Sequence, residues 1–220
     1  DNFSHYEAGA DHFINLLYTF DAAGKLSGAI INVPCPSQNS EHEWKLTADY
    51  WHDVRQAIRA QYGDIFLLPQ CAAAGDLSPR ILHYKQAQDR RFRLKYGDFY
   101  AENGVERAAR KDIAERIAAA FGEVLDWAQK DIRTAVPIRH KVSTVQLSRR
   151  MITDEEYQQA KEGLAAAQAQ AFVETDDPVQ DLITNSCIIS NRKRFYTVLR
   201  SYEEQAHTKT HPMELHVLRV

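Results

Sequence analysis

The residues best suited to chemistry are Ser78 and Cys35. Ser78 stands in the loop Gly75, Asp76, Leu77, Ser78, Pro79, at the end of an apolar stretch and just after the small residues Ala72, Ala73 and Ala74. Small side chains at such a point let the backbone approach a ligand closely, and a serine there can serve as a nucleophile. Its surroundings do not match GxSxG, so the strained nucleophile elbow of α/β hydrolases is not supported. The same spacing also reads as a helix start, with Ser78 as N-cap and Pro79 as first helical residue. The two readings are compatible. Asp76 reads either as a turn residue or as an acid supporting the serine. Cys35, bracketed by Pro34 and Pro36, falls on a loop and reads either as a small buried thiol or as a thiolate metal ligand.

The remaining candidates carry less. Cys71 and Cys187 form no CxxC pair with each other or with Cys35. Three distant cysteines specify neither a disulfide framework nor a zinc finger, and each is expected to be a small buried thiol. The histidines, His5, His12, His42, His52, His83, His140, His207, His211 and His216, show no HExxH or similar metal spacing. Only His12 and His42 fall in or near the loops of interest.

Those loops must be positioned by strands and helices. Phe13 to Phe20 is apolar and aromatic, the stretch Asp21 to Lys25 is turn-forming, and Leu26 to Val33 is rich in β-branched residues, so the segment predicts a hairpin. Pro34 and Pro36 stop the second strand. A polar loop runs to Thr47, a good N-cap, and Trp51, Val54, Ile58 and Tyr62 recur at helical spacing. Gly63 and Asp64 break that helix, and Ile65 to Leu68 follows as a continuous apolar strand. A strand, a crossover helix of about 15 residues and a second strand make a right-handed βαβ unit with parallel strands. Ligands of open α/β sheets collect beyond the carboxyl ends of such strands. The loops after Val33 and after Leu68 are therefore expected at one edge, which makes Cys35 and Ser78 candidates for one site.

Farther on, Ile113, Ile117, Phe121, Val124, Leu125, Ala128 and Ile132 form the apolar stripe of an amphipathic helix. Val142, Val145 and Leu147 suggest a strand. Thr153 and Glu156 form a capping box for a helix through Ala171, and Asn191 to Gln205 reads as a charged helix. Met213, Leu215 and Val217 alternate with Glu214 and His216 as a half-buried strand does. The chain ends on that pattern at Val220, which reads as a piece of a longer protein.

The 220 residues are 44% hydrophobic, enough for one sizeable core and a second small one, with one domain as the default. The formal net charge is -3, from 27 basic and 30 acidic residues that are intermixed along the chain. Nucleic acid is excluded as an expected partner, because phosphate recognition needs a one-sided basic surface. No apolar run approaches the roughly 20 residues of a membrane span, and residues 1–10 lack a signal-peptide core.

The runs GAIINVPCPSQ, LTADYWHDVRQAI and IFLLPQCAAAGDLSPR, from Gly28 through Arg80, resemble the neutral, non-lysosomal ceramidase family. The family pattern is a strand ending in Asn, a short apolar step and His-Pro, then a Ser-Asp or Ala-Asp helix start, then a strand running to Gly-Asp-x-Ser-Pro. The resemblance covers about a quarter of the chain well. It implies that residues 1–220 are the central part of a ceramidase-like α/β catalytic domain, with a mixed or largely parallel sheet and flanking helices. It further implies zinc-dependent hydrolysis of an N-acyl amide in a lipid, sphingolipid-type substrate, with Ser78 at the scissile carbonyl. A secreted or periplasmic location is also implied.

Family zinc is held by two His, one Glu and one Tyr. The His of the His-Pro step corresponds to Cys35, followed by Pro36, and this is a departure. A thiolate donates more charge than imidazole and weakens the Lewis acidity that polarises an amide. The departure leaves altered zinc chemistry, a different metal or no metal, and the other ligands are expected before Asp1 and after Val220, so residues 1–220 are not expected to be active alone. The alternatives to a zinc amidase are a catalytically inactive binding or scaffold domain and, third, a metal-free serine hydrolase. The last is disfavoured because no motif places a His and an acid beside Ser78.

Overall fold

The expected hairpin forms from β1 (Asn15–Phe20) and β2 (Leu26–Val33) in a computed structural model that describes His5 and residues 9–43, 45–80 and 83–220. Asp21 closes its turn. The carboxylate oxygen Oδ1 accepts from the backbone N–H groups of Ala23 and Lys25, each at 2.9 Å, which is how Asp promotes turns. The chain divides into two compact units, Asp1–Arg133 and Thr134–Val220.

In the first unit, helix α1 (Tyr50–Tyr62) carries the chain from β2 to β3 (Phe66–Cys71). β2 and β3 pair in parallel, from Gly28 opposite Phe66 to Val33 opposite Cys71, and the sheet order β1-β2-β3 makes it mixed. The last strand runs three residues past the expected Leu68, through Pro69. A proline lacks the N–H that a central strand needs, but β3 is an edge strand and tolerates it. Gly28 permits close approach of the two strands, since a Cβ there would lie 2.7 Å from the carbonyl oxygen of Phe66.

One face of this sheet is buried. Ala29, Ile31 and Val33 meet Val54 and Ile58 of α1 and Phe121 of a later helix in one apolar cluster. That helix, α3 (Asp98–Ala128), follows α2 (Lys85–Tyr96). Gly104, at φ 78°, divides α3 near its start, a conformation that costs glycine least. Of the expected stripe, Ile117, Phe121 and Leu125 are buried, whereas Ile132 lies beyond the helix and is exposed. The other sheet face leaves Phe66 and Leu68 exposed.

The second unit pairs β4 (Arg139–Ser148) with β5 (Thr210–Arg219) in an antiparallel ribbon. Between them lie α4 (Asp154–Ala169) and α5 (Pro178–Gln205). The capping box of α4 is present: Thr153 Oγ1 accepts from the Glu156 N–H at 3.2 Å, and the Glu156 carboxylate accepts from the Thr153 N–H at 3.0 Å. The helix ends two residues before the expected Ala171. α5 begins 13 residues before the expected Asn191, because Asp177 caps it and Pro178 occupies its first position. The alternation in β5 is real, but the strand is exposed along its whole length, not half-buried. Among the described residues no helix is long and apolar enough to cross a membrane.

Candidate functional site at the carboxyl edge of the first sheet

The parallel register places the ends of β2 and β3 side by side, so the loops bearing Cys35 and Ser78 leave from one edge. Two backbone hydrogen bonds define that edge. The Ala72 N–H donates to the Val33 carbonyl at 2.9 Å, and the Cys35 N–H donates to the same oxygen at 2.8 Å.

The Ser78 loop is tied to the Cys35 loop by Arg80. Its Nη2 donates to the Gln38 carbonyl at 3.1 Å and to Glu41 Oε1 at 2.5 Å. The Nε of the same guanidinium is buried and has no hydrogen-bond partner among the described residues. Ser78 is exposed, and its Oγ accepts from the Arg80 N–H at 3.2 Å. That bond occupies a lone pair and leaves the hydroxyl proton available for donation.

The bond is local, and no helix follows it at once. Pro79 and Arg80 lie in a bend and α2 starts at Lys85, so the expectation that Ser78 caps a helix from Pro79 is corrected. The apolar residues Ile81 and Leu82 lie outside the described residues. Asp76 is an exposed turn residue, and the turn is closed by the Leu77 N–H on the Ala74 carbonyl at 3.1 Å. Among the described residues its carboxylate makes no hydrogen bond or ion pair.

The Cys35 loop is held down by polar groups that the spacing of residues did not single out. Asp49, not Thr47, is the N-cap of α1. It is 3% exposed and has φ 52°, a left-handed conformation that is unfavourable for most side chains. Its two carboxylate oxygens accept from the Tyr50 N–H at 2.8 Å and the Ser40 N–H at 2.7 Å, and its own N–H donates to Thr47 Oγ1 at 3.0 Å. Those three bonds hold the conformation. Asn39 is buried and donates through Nδ2 to the Glu106 carbonyl at 2.7 Å. Arg110 pairs with Asp53 at 2.9 Å, and His42 meets Glu106 at 2.6 Å. The legible signal was the polarity of Gln38 to Asp49; which of these groups would be buried was not legible.

Cys35 is half-buried and packs against the apolar core, whereas Cys71 and Cys187 are exposed, contrary to the expectation of three buried thiols. The Tyr50 hydroxyl donates to the Cys35 carbonyl at 2.6 Å. Burial pushes the Cys35 thiol above its ordinary range. Contact with Tyr50 opposes this, the nearby Cys71 and Asp49 add to it, and Arg116 opposes it. Burial likewise pushes the Tyr50 hydroxyl upward.

A metal-binding thiol must lose its proton, and burial at Cys35 opposes that loss. Among the described residues no three His, Cys, Asp or Glu side chains form a group that could hold a metal ion. Cys35 and its described neighbours do not by themselves supply a zinc ligand set. No protein-family model, curated protein or solved structure matches this chain.

Proposed function

We propose that this chain carries the serine-bearing part of an amide hydrolase of neutral-ceramidase type, acting on an N-acyl amide. The observation that supports this reading most strongly is the Arg80 bridge. The segments that carry the resemblance, Gly28 to Gln38 and Ile65 to Arg80, meet at the carboxyl edge of a parallel strand pair, where α/β sheets receive ligands.

In this reading the Ser78 oxygen forms a bond to the amide carbonyl carbon, its hydroxyl proton passes to the departing nitrogen, and the carbon–nitrogen bond breaks. Water then adds to the acyl-serine carbonyl and breaks the ester bond, one water proton returning to Ser78 Oγ and the acyl group leaving as the carboxylic acid. The Arg80 N–H holds Ser78 Oγ in one orientation during attack. Zinc belongs to the proposal only through the family resemblance at Cys35. The test is cleavage of an N-acyl amide by the full-length protein and its Ser78→Ala variant. The expected loss is about a thousandfold or more, as for removal of a nucleophile that acts as part of a unit. Equal cleavage by both removes Ser78 from the mechanism.

A second reading, a catalytically inactive binding or scaffold domain, is favoured by the half-buried Cys35 where the resemblance expects a ligating His. Replacement Cys35→His separates the two. Absence of cleavage in wild type and in this variant, with and without added zinc, supports the scaffold; robust turnover by wild type rules it out.

A further inference from the structure

Pro79, the residue after Ser78, forms one wall of a cavity of about 140 Å3 that is also lined by Arg91, Phe92, Asp112 and Arg116. That volume is several times a water's share of about 30 Å3 and well below the roughly 300 Å3 at which whole-ligand pockets begin. It suits the end group of a molecule whose remainder lies elsewhere.

The charges around it are unevenly committed. Asp112 is 3% exposed and accepts from both terminal nitrogens of Arg91, at 3.0 and 2.6 Å, and from Lys95 at 2.8 Å. Lys95 also pairs with Glu115 at 2.7 Å. Arg116 joins the group through its Nε, 3.4 Å from Asp112 Oδ2. Three cations thus share two carboxylates, leaving one positive charge in surplus.

Arg91 spends its fork on Asp112. Arg116 does not: among the described residues its terminal nitrogens make no hydrogen bond, and its side chain is 70% exposed. The buried carboxylate lies beside the Nε of this guanidinium and leaves the two-nitrogen fork open. That fork matches a carboxylate in bidentate geometry.

We infer that this cavity is an anion subsite beside the serine loop, in which Arg116 receives the carboxylate of an N-acyl amino acid type of amide. The inference rests on the amide-hydrolase reading and names its substrate class. The field of Arg116 also extends to the sheet edge, where it acts on Cys35. A substrate with a neutral or cationic end group finds no matching partner on Arg116.

The test is equilibrium binding to the whole chain of N-dodecanoylglycine and N-dodecanoylethanolamine, which share chain and amide and differ in the terminal group. Wild type is expected to bind the glycine derivative about tenfold more tightly, the scale of one charge-assisted contact. Arg116→Gln is expected to reduce that preference to within about twofold with an unchanged thermal melt. Arg133→Gln, a change at another exposed arginine, keeps the preference. No binding of either compound, equal binding by wild type, or a preference that survives in Arg116→Gln overturns the inference. Binding by Ser78→Ala is expected to match wild type. Absence of cleavage by the full-length wild-type protein with the preference intact overturns the amide-hydrolase reading and leaves the subsite standing.

Discussion

The two units are built from the same kinds of element and are stabilised differently. In the first, a sheet buries one face against α1 and α3, and a carboxylate, Asp112, is buried among cations. In the second, the ribbon β4–β5 is exposed throughout apart from partial cover at Val145. The helices α4 and α5 supply the interior there, with Ala160, Ala167 and Ile188 buried and Tyr157 and Tyr202 in ring contact at 4.3 Å. Helix ends carry much of the polar work: Arg192 donates to the carbonyls of Ala167 at 3.0 Å and Gln170 at 2.6 Å, at the end of α4. The difference teaches that period-2 alternation specifies a strand without specifying what covers it.

All three tryptophans, Trp44, Trp51 and Trp127, precede residue 134 in the sequence, and Trp51 is buried in the core of the first unit, so tryptophan fluorescence follows that unit, while far-UV circular dichroism follows both. The largest effect is expected from Asp112→Ala, which removes several charge-assisted hydrogen bonds from cations that water can still reach and costs about 2–3 kcal/mol in the fluorescence-detected transition. Arg91 and Lys95 hold the Asp112 carboxyl down at about 2, against burial that pushes it up; its ordinary value is 3.8. A depressed carboxyl stabilises the fold above its unfolded value, and that contribution is lost as pH falls through the folded one. Wild type should therefore lose stability from about pH 4 to about pH 2 more steeply than Asp112→Asn. Parallel acid profiles would remove the buried charge from the account of the first unit.

A smaller loss, about 1–3 kcal/mol, is expected for Gly28→Ala, whose new Cβ meets backbone rather than a movable side chain. The fluorescence transition reads it, and an unchanged midpoint would show that β2 and β3 can part without cost. The smallest loss, about 1 kcal/mol, is expected for Thr153→Ala, which removes one half of a capping box in the second unit. It should shift the dichroism transition and leave the fluorescence transition in place. Movement of both would break the comparison by showing that the units unfold together.

The hairpin, the parallel βαβ unit and the capping box were legible because each rests on local rules: turn residues, β-branched runs, helical spacing and a paired Thr and Glu. The convergence of the Cys35 and Ser78 loops followed from topology alone. Capping rules alone pointed to Thr47, which offers the same chemistry two residues before Asp49. The Ala-Asp helix start of the resemblance fell instead on Asp49, whose carboxylate caps Tyr50 and also receives the Ser40 N–H. The delayed start of α2 was not legible either, since Ser78-Pro79 satisfies the rules for a helix start without one following. Arg80 and Arg116 escaped notice because a guanidinium's reach across two loops, or toward a buried carboxylate, leaves no periodic trace. The general tendency of free cysteines to be buried served for Cys35, which is half-buried, and failed for Cys71 and Cys187, which are exposed.

The Arg80 bridge bears on how this edge could be transplanted. Gly75 to Pro79 is contiguous and looks portable, yet its placement depends on acceptors at Gln38 and Glu41, on the far side of a helix and a strand in the chain. Grafting the five residues onto another scaffold would carry the serine and leave behind the groups that aim it. The smallest unit that can be moved intact is discontinuous, two loops and one arginine, and a designer would have to copy both ends of that latch.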